Sequence, residues 1–159
     1  MDFWNNVPLM AALIAIFFAQ AIKVPIQALM NKRANWSLLT ATGGMPSSHS
    51  AAVCALMTVL AIEYGMNSPY FAIAAIFGVI VMFDAMGVRR QSGEQAITIN
   101  KLIADFQAIT NLGKANAEKD PEAGLQRLKE VLGHKPTEVF FGILTGIAIG
   151  FLVNYLYHL

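Results

Sequence analysis

The chain has 159 residues, enough for one domain; 56% of them are apolar and only 13% are charged. A soluble domain carries about 25% charged residues, so this composition excludes an ordinary water-facing surface and points to a lipid-facing one. A formal net charge of +1, with no basic arm bearing interleaved aromatics, excludes nucleic acid as a partner.

The first apolar segment covers about 8–30 and is broken only by Gln20, Lys23 and Gln27. It begins Met-Asp-Phe-Trp, without a basic leader or a small-residue cleavage site, so it reads as a retained membrane helix. A polar connection follows, with Lys32, Arg33, Trp36 and the Gly43-Gly44 pair. The second apolar segment opens at Ser48 and fills a bilayer only if residues 62–66 extend it, because spanning takes about 20 residues. Its Cys54, the only cysteine, allows neither an intramolecular disulfide nor a cysteine metal cage and reads as a small buried hydrophobe. The third segment, about 70–88, carries Asp84 near its end. The longest connection, 89–135, holds Ile99, Leu102, Ile103, Phe106 and Ile109 at helical spacing, which predicts an amphipathic helix over 95–112. A second helix is expected over 122–132, both lying on the membrane or over the bundle. The fourth apolar segment, about 137–157, opens with Glu138. The fold expected is all-α. It is an integral membrane helical bundle of about four transmembrane helices (8–30, 48–66, 70–88, 137–157), with amphipathic surface helices in a long cytoplasmic connection, all one domain.

Ten of the 11 Lys and Arg residues lie in the two polar connections, and the eleventh is Lys23. The other face would hold only Asp2, Glu63 and His158. With four spans both basic connections share one side, which the positive-inside rule makes cytoplasmic, leaving both termini outside the cell membrane.

Ionisable groups inside spanning helices are costly and usually have a partner or a task. Here Lys23, His49, Asp84, His134 and Glu138 all fall at the cytoplasmic ends of the predicted spans, so every helix sends a polar group into one layer. Singly, each has a plainer account: Lys23 can snorkel, Asp84 can pair with Lys23, Arg89 or Arg90, and a histidine can simply pack. Three local patterns sharpen the collective reading. Gly43, Gly44, Ser47, Ser48 and His49 lead into a helix N-terminus, where free N–H groups and the helix dipole suit phosphate. His134 and Glu138 stand one helical turn apart, so a carboxylate can hold one imidazole nitrogen and leave the other free to act as a nucleophile. Arg89 and Arg90, beside Gly87 and near Glu94, offer guanidinium forks to phosphate oxygens as well as an ordinary basic anchor.

Pro46-Ser47-Ser48-His49 resembles the Pro-Ser-Gly-His motif of the type 2 phosphatidic acid phosphatase and vanadium haloperoxidase superfamily. His134-Lys-Pro-Thr-Glu138-Val-Phe-Phe-Gly142 resembles its closing motif, and Lys23 the lysine that opens its first. With Asp84-Ala-Met-Gly-Val-Arg-Arg between them, the chain resembles the divergent branch of that superfamily along nearly its whole length. The resemblance implies roles: His134 as the nucleophile that takes the phosphoryl group, Glu138 as its orienting carboxylate, and His49 as the acid for the leaving oxygen. Lys23, Gly44, Ser47 and Ser48 would hold phosphate oxygens, and no metal or other cofactor is implied. The departures are Met30 and Leu128 where the superfamily has arginines, Ser48 for glycine and Glu138 for aspartate. Arg33 and Arg127 are the nearest candidates for the missing cations, and Arg89 and Arg90 offer themselves as replacements.

Three function classes follow. The first is a metal-independent phosphatase acting on the phosphate monoester or pyrophosphate of a membrane lipid or polyprenyl substrate at the cytoplasmic leaflet. The second is a binding or transport protein that kept a phosphate seat without turnover. The third is a membrane scaffold that docks partners on the long connection.

Overall fold

The computed structural model describes residues 3–31, 43–110, 128 and 133–159. After a short 3-10 turn at Phe3–Asn5 come α1 (Val7–Asn31), α2 (Ser48–Tyr64), α3 (Pro69–Met86), α4 (Val88–Thr110) and α5 (Pro136–Tyr157), with no strand among the described residues. The protein is an all-α membrane helical bundle. The helix expected over 122–132, and Arg33, Trp36 and Arg127, lie outside the described residues.

Local chemistry places the ends. Ser47 caps α2, its hydroxyl accepting from the Ser50 amide, and Gly65 stops the helix at a φ of 82° that side-chain-bearing residues avoid. Ser68 caps α3 with Pro69 in its first turn, and Pro136 opens α5. Because Gly65 ends α2 where the extension 62–66 was expected, α2 has 17 residues, about 26 Å at 1.5 Å per residue. Among the described residues three helices, α1, α3 and α5, are long and apolar enough to cross a membrane, where the sequence reading expected about four. The short α2 sits at the centre of the bundle, packed against α1, α3 and α5, so protein covers what lipid would otherwise reach.

Small residues let the backbones close on one another. Gly142, Gly146 and Gly150 form a stripe on α5. A Cβ there would lie 2.6 Å from the Ser47 carbonyl oxygen, overlap the Ala51 carbonyl oxygen, or lie 2.7 Å from the Thr58 Cβ. Lipid gives helices no hydrophobic reason to associate, so close van der Waals packing through small residues supplies it. On α1 the buried residues Val7, Ala11, Ala15 and Ala19 recur every fourth position, and the next step of that stripe is Lys23.

The bundle has two unlike ends. Trp4, Tyr64, Tyr70, Tyr155 and Tyr157 are exposed at one, where the Tyr157 hydroxyl donates to the Trp4 carbonyl. Aromatic rings of this kind favour the interface between membrane and water. The other end gathers the ends of α1 and α3 with the starts of α2, α4 and α5. The amphipathic helix starts at Val88 rather than near residue 95, one residue past α3. Gly87 breaks the helix, and Arg89, Arg90, Gln91 and Glu94 are good helix formers that resume it at once.

A candidate phosphate site at the polar end of the bundle

Backbone bonds stitch three helix ends together before any side chain acts. The Ser47 amide donates to the Glu138 carbonyl at 2.9 Å, tying the start of α2 to the start of α5. The His134 amide donates to the Ala85 carbonyl at 3.1 Å, tying the lead into α5 to the last turn of α3.

His134 is 2% exposed. Its Nδ1 lies 2.8 Å from Glu138 Oε2, which also accepts from the Lys135 amide at 3.2 Å. An ionised carboxylate only accepts, so a neutral ring in this pairing keeps its proton on Nδ1 and its lone pair on Nε2. That Nε2 is buried and has no hydrogen-bond partner among the described residues. His49, in the first turn of α2, is exposed, and its ring centre lies 6.2 Å from that of His134, edge-on at 66°.

Both imidazoles line a cleft of about 620 Å³ together with Asp84, Arg89, Ser92 and Gly133, and its other wall is the Phe77, Ile80 and Val81 face of α3. Asp84 and Arg89 form an ion pair at 2.5 Å on the partly exposed rim. His49 lies within electrostatic reach of Arg89, His134, Lys23 and Asp84.

Lys23 is supplied by α1. It is 2% exposed, does not line the cleft, and its Nζ is buried with no hydrogen-bond partner among the described residues. Glu138 is within range of its charge. Its stem passes beneath Gly44, where a Cβ would meet the lysine Cδ at 3.8 Å and where φ is 94°. Gly43 is half-buried beside it, and Ser47 and Ser48 are buried. Ser47 serves chiefly as the cap, its hydroxyl also accepting from the Ser50 hydroxyl at 3.1 Å.

The remaining predicted residues lie apart from the cleft. Arg90 is absent from the lining and reaches Glu94 at 3.0 Å on the outer side of α4. Leu128, where the superfamily carries an arginine, has its backbone held by Asn100, whose amide group both donates and accepts at 2.8 Å. Sequence reasoning missed Ser92 and Gly133. Ser92 follows Arg89 by three residues, a spacing that signals a shared face only once α4 is known to begin before it. Nothing in the sequence marks the backbone contact that Gly133 makes. Among the described residues, no three His, Cys, Asp or Glu side chains cluster closely enough to hold a metal ion.

Over residues 4–149 the sequence matches the divergent PAP2 family. The chain belongs to that family. It is also 53% identical, over 157 residues and 99% of both chains, to the uncharacterized membrane protein YuiD of Bacillus subtilis (strain 168). No solved structure matches it. As a member of the divergent PAP2 family, the protein is a phosphatase-related membrane protein.

Proposed function

We propose that the protein is a lipid-phosphate phosphatase that works through a phosphohistidine at the cytoplasmic face. The observation that carries this reading is the state of His134: Nδ1 is held by Glu138, and Nε2 is buried and unpartnered among the described residues, beside a cleft shared with His49. In the first step His134 Nε2 attacks phosphorus in line with the ester oxygen, and the P–O bond to the leaving group breaks as the P–N bond forms. His49 donates its proton to the leaving oxygen. In the second step neutral His49 takes a proton from water, whose oxygen attacks phosphorus and releases inorganic phosphate from His134. Glu138 stabilises the ring as it gains positive character. Arg89 in the cleft and Lys23 beneath Gly44 neutralise the equatorial oxygens, with first-turn amides of α2 beside them.

Two features favour a lipid as substrate. The cleft opens at the polar end of the bundle, and its apolar wall continues into the exposed face of α3 at Phe77 and Ile80. Basic residues concentrated at this end support a cytoplasmic site. Phosphatidic acid, phosphatidylglycerophosphate and polyprenyl diphosphates all fit this chemistry.

The test is phosphate release in detergent from a panel of lipid phosphates. His134→Ala should lower turnover by about 10³-fold or more and His49→Ala by about 10²–10⁴-fold. A radiolabelled phosphate ester should leave an acid-labile, base-stable label on wild type and none on His134→Ala. Met30 and Leu128 at the superfamily's arginine positions favour a second reading, a phospholipid-binding protein without turnover. Binding to phosphatidic acid vesicles with no release from any substrate would select it and retire the first.

A further inference from the structure

The junction between α3 and α4 does more than turn the chain. The last turn of any α-helix leaves carbonyls without intrahelical partners. At the end of α3 the Phe83 carbonyl accepts from Gly87 at 2.8 Å, while the Ala85 carbonyl accepts from the His134 amide at 3.1 Å. The residue before that histidine is Gly133, and it lies flat on the opening of α4. A Cβ at this position would overlap the Arg90 backbone nitrogen, stand 2.7 Å from the Arg89 carbonyl carbon and 2.8 Å from the Arg90 Cα. All three are backbone atoms of a helix, which cannot rotate aside as a side chain would. Displacement would therefore fall on the segment that carries His134. Sliding α5 cannot absorb it, because the Glu138 carbonyl is held by the Ser47 amide at 2.9 Å.

We infer that Gly133 is a positioning residue: its backbone contact with Arg89 and Arg90 sets the distance and aim of the His134 imidazole relative to the Arg89 side chain in the same cleft. The inference rests on the phosphohistidine reading above and adds to it the device that registers nucleophile against cation. Arg89 leaves the helix one residue after the first α4 position, and the ring of His134 is fixed from its other side by Glu138. The histidine is thus clamped between two helices that the chain reaches far apart in sequence. A change of one methyl group at Gly133 alters that clamp from the backbone side, against Arg89 and Arg90, and leaves every charged side chain of the cleft in place.

The test is Gly133→Ala, purified in detergent, with steady-state hydrolysis of phosphatidic acid and inhibition by inorganic phosphate. A misplacement near 1 Å costs catalysis about 100-fold, so kcat should fall by about that factor. KM and the inhibition constant for phosphate should change less than about threefold, since the groups that hold phosphate are unaltered. The rate of acid-labile label formation should fall in parallel with kcat. Wild-type kcat in the variant, or a rise in KM with kcat preserved, overturns the inference while leaving the phosphatase reading intact. Absence of hydrolysis in wild type on every substrate overturns both. Should the variant not fold, hydrogen exchange on wild type decides: protection of the His134 amide comparable to the last turn of α3 is expected, and exchange at the rate of an unstructured peptide sinks the inference.

Discussion

Lys23 and His134 are both about 98% buried and both end in a polar atom without a partner among the described residues. An unpaired buried polar group costs about 1–3 kcal/mol, and more if charged. A chain that keeps two such groups at the same end of its bundle carries a cost that stability alone would remove. Lys23→Met keeps the length and apolar stem of the side chain and deletes the charge. Its thermal midpoint in detergent should equal or exceed that of wild type, because a buried ammonium without a hydrogen-bond partner among the described residues is gone. Its KM for a lipid phosphate should rise about 10–100-fold, the equivalent of a charge-assisted hydrogen bond worth about 1.5–3 kcal/mol. A variant that loses stability and keeps its KM would make Lys23 a structural residue. Residues read alike in the sequence also separate at this scale. Arg89 faces the cleft with both histidines, whereas its neighbour Arg90 is occupied by Glu94 on the outer side.

At the scale of elements, the site depends on how closely α2 approaches α5. The stripe Gly142, Gly146 and Gly150 lies against Ser47, Ala51, Ala55 and Thr58, and the same approach lets the Ser47 amide reach the Glu138 carbonyl. Packing and site geometry are therefore one structure: the helix pair that anchors the bundle also brings His49 toward His134. Gly146→Leu forces a branched side chain into the Ala51 carbonyl and should cost about 1–3 kcal/mol by overpacking. Thermal unfolding in detergent checks the stability, and the same variant should lose phosphate release because the two histidines separate. Gly65 at the far end of α2 meets no atom within 4 Å, so substitution there tests conformation alone, without a packing clash. The helix break at Gly87 plays a different part: it ends α3, starts α4 with Arg89 in the cleft and leaves the Ala85 carbonyl for His134.

At the scale of the molecule, aromatic rings mark one end and ionisable side chains the other. Trp4 and Tyr157 meet at the aromatic side, so the start of α1 and the end of α5 lie on the same side of the bundle. The proposed orientation, drawn from the distribution of basic residues, has the other side facing the cytoplasm. Thiol labelling in intact cells checks this directly. Lys135→Cys, exposed just before α5, should react only after the membrane is permeabilised, and Asn5→Cys should react from outside. Cys54 is buried and adds little background. The opposite pattern would put the cleft on the outer face and make outer-leaflet lipids its substrates.

Much of this was legible from residues alone. Apolar runs longer than a bilayer is thick announced the membrane bundle, because lipid tolerates no uncovered polar backbone. Ser47, in the lead into α2, announced a helix start through capping. His134 and Glu138, one turn apart, needed only helical geometry to be read as a pair. What the chain order could not express was distance between helices. The 6.2 Å separation of His49 and His134, the choice of Arg89 over Arg90, and the seating of Gly133 on α4 each arise from contacts between segments remote in sequence. Local pattern reports a residue's own helix and face. Which faces meet, and how closely, depends on side-chain volume summed over several helices at once, and that is settled only when the bundle packs.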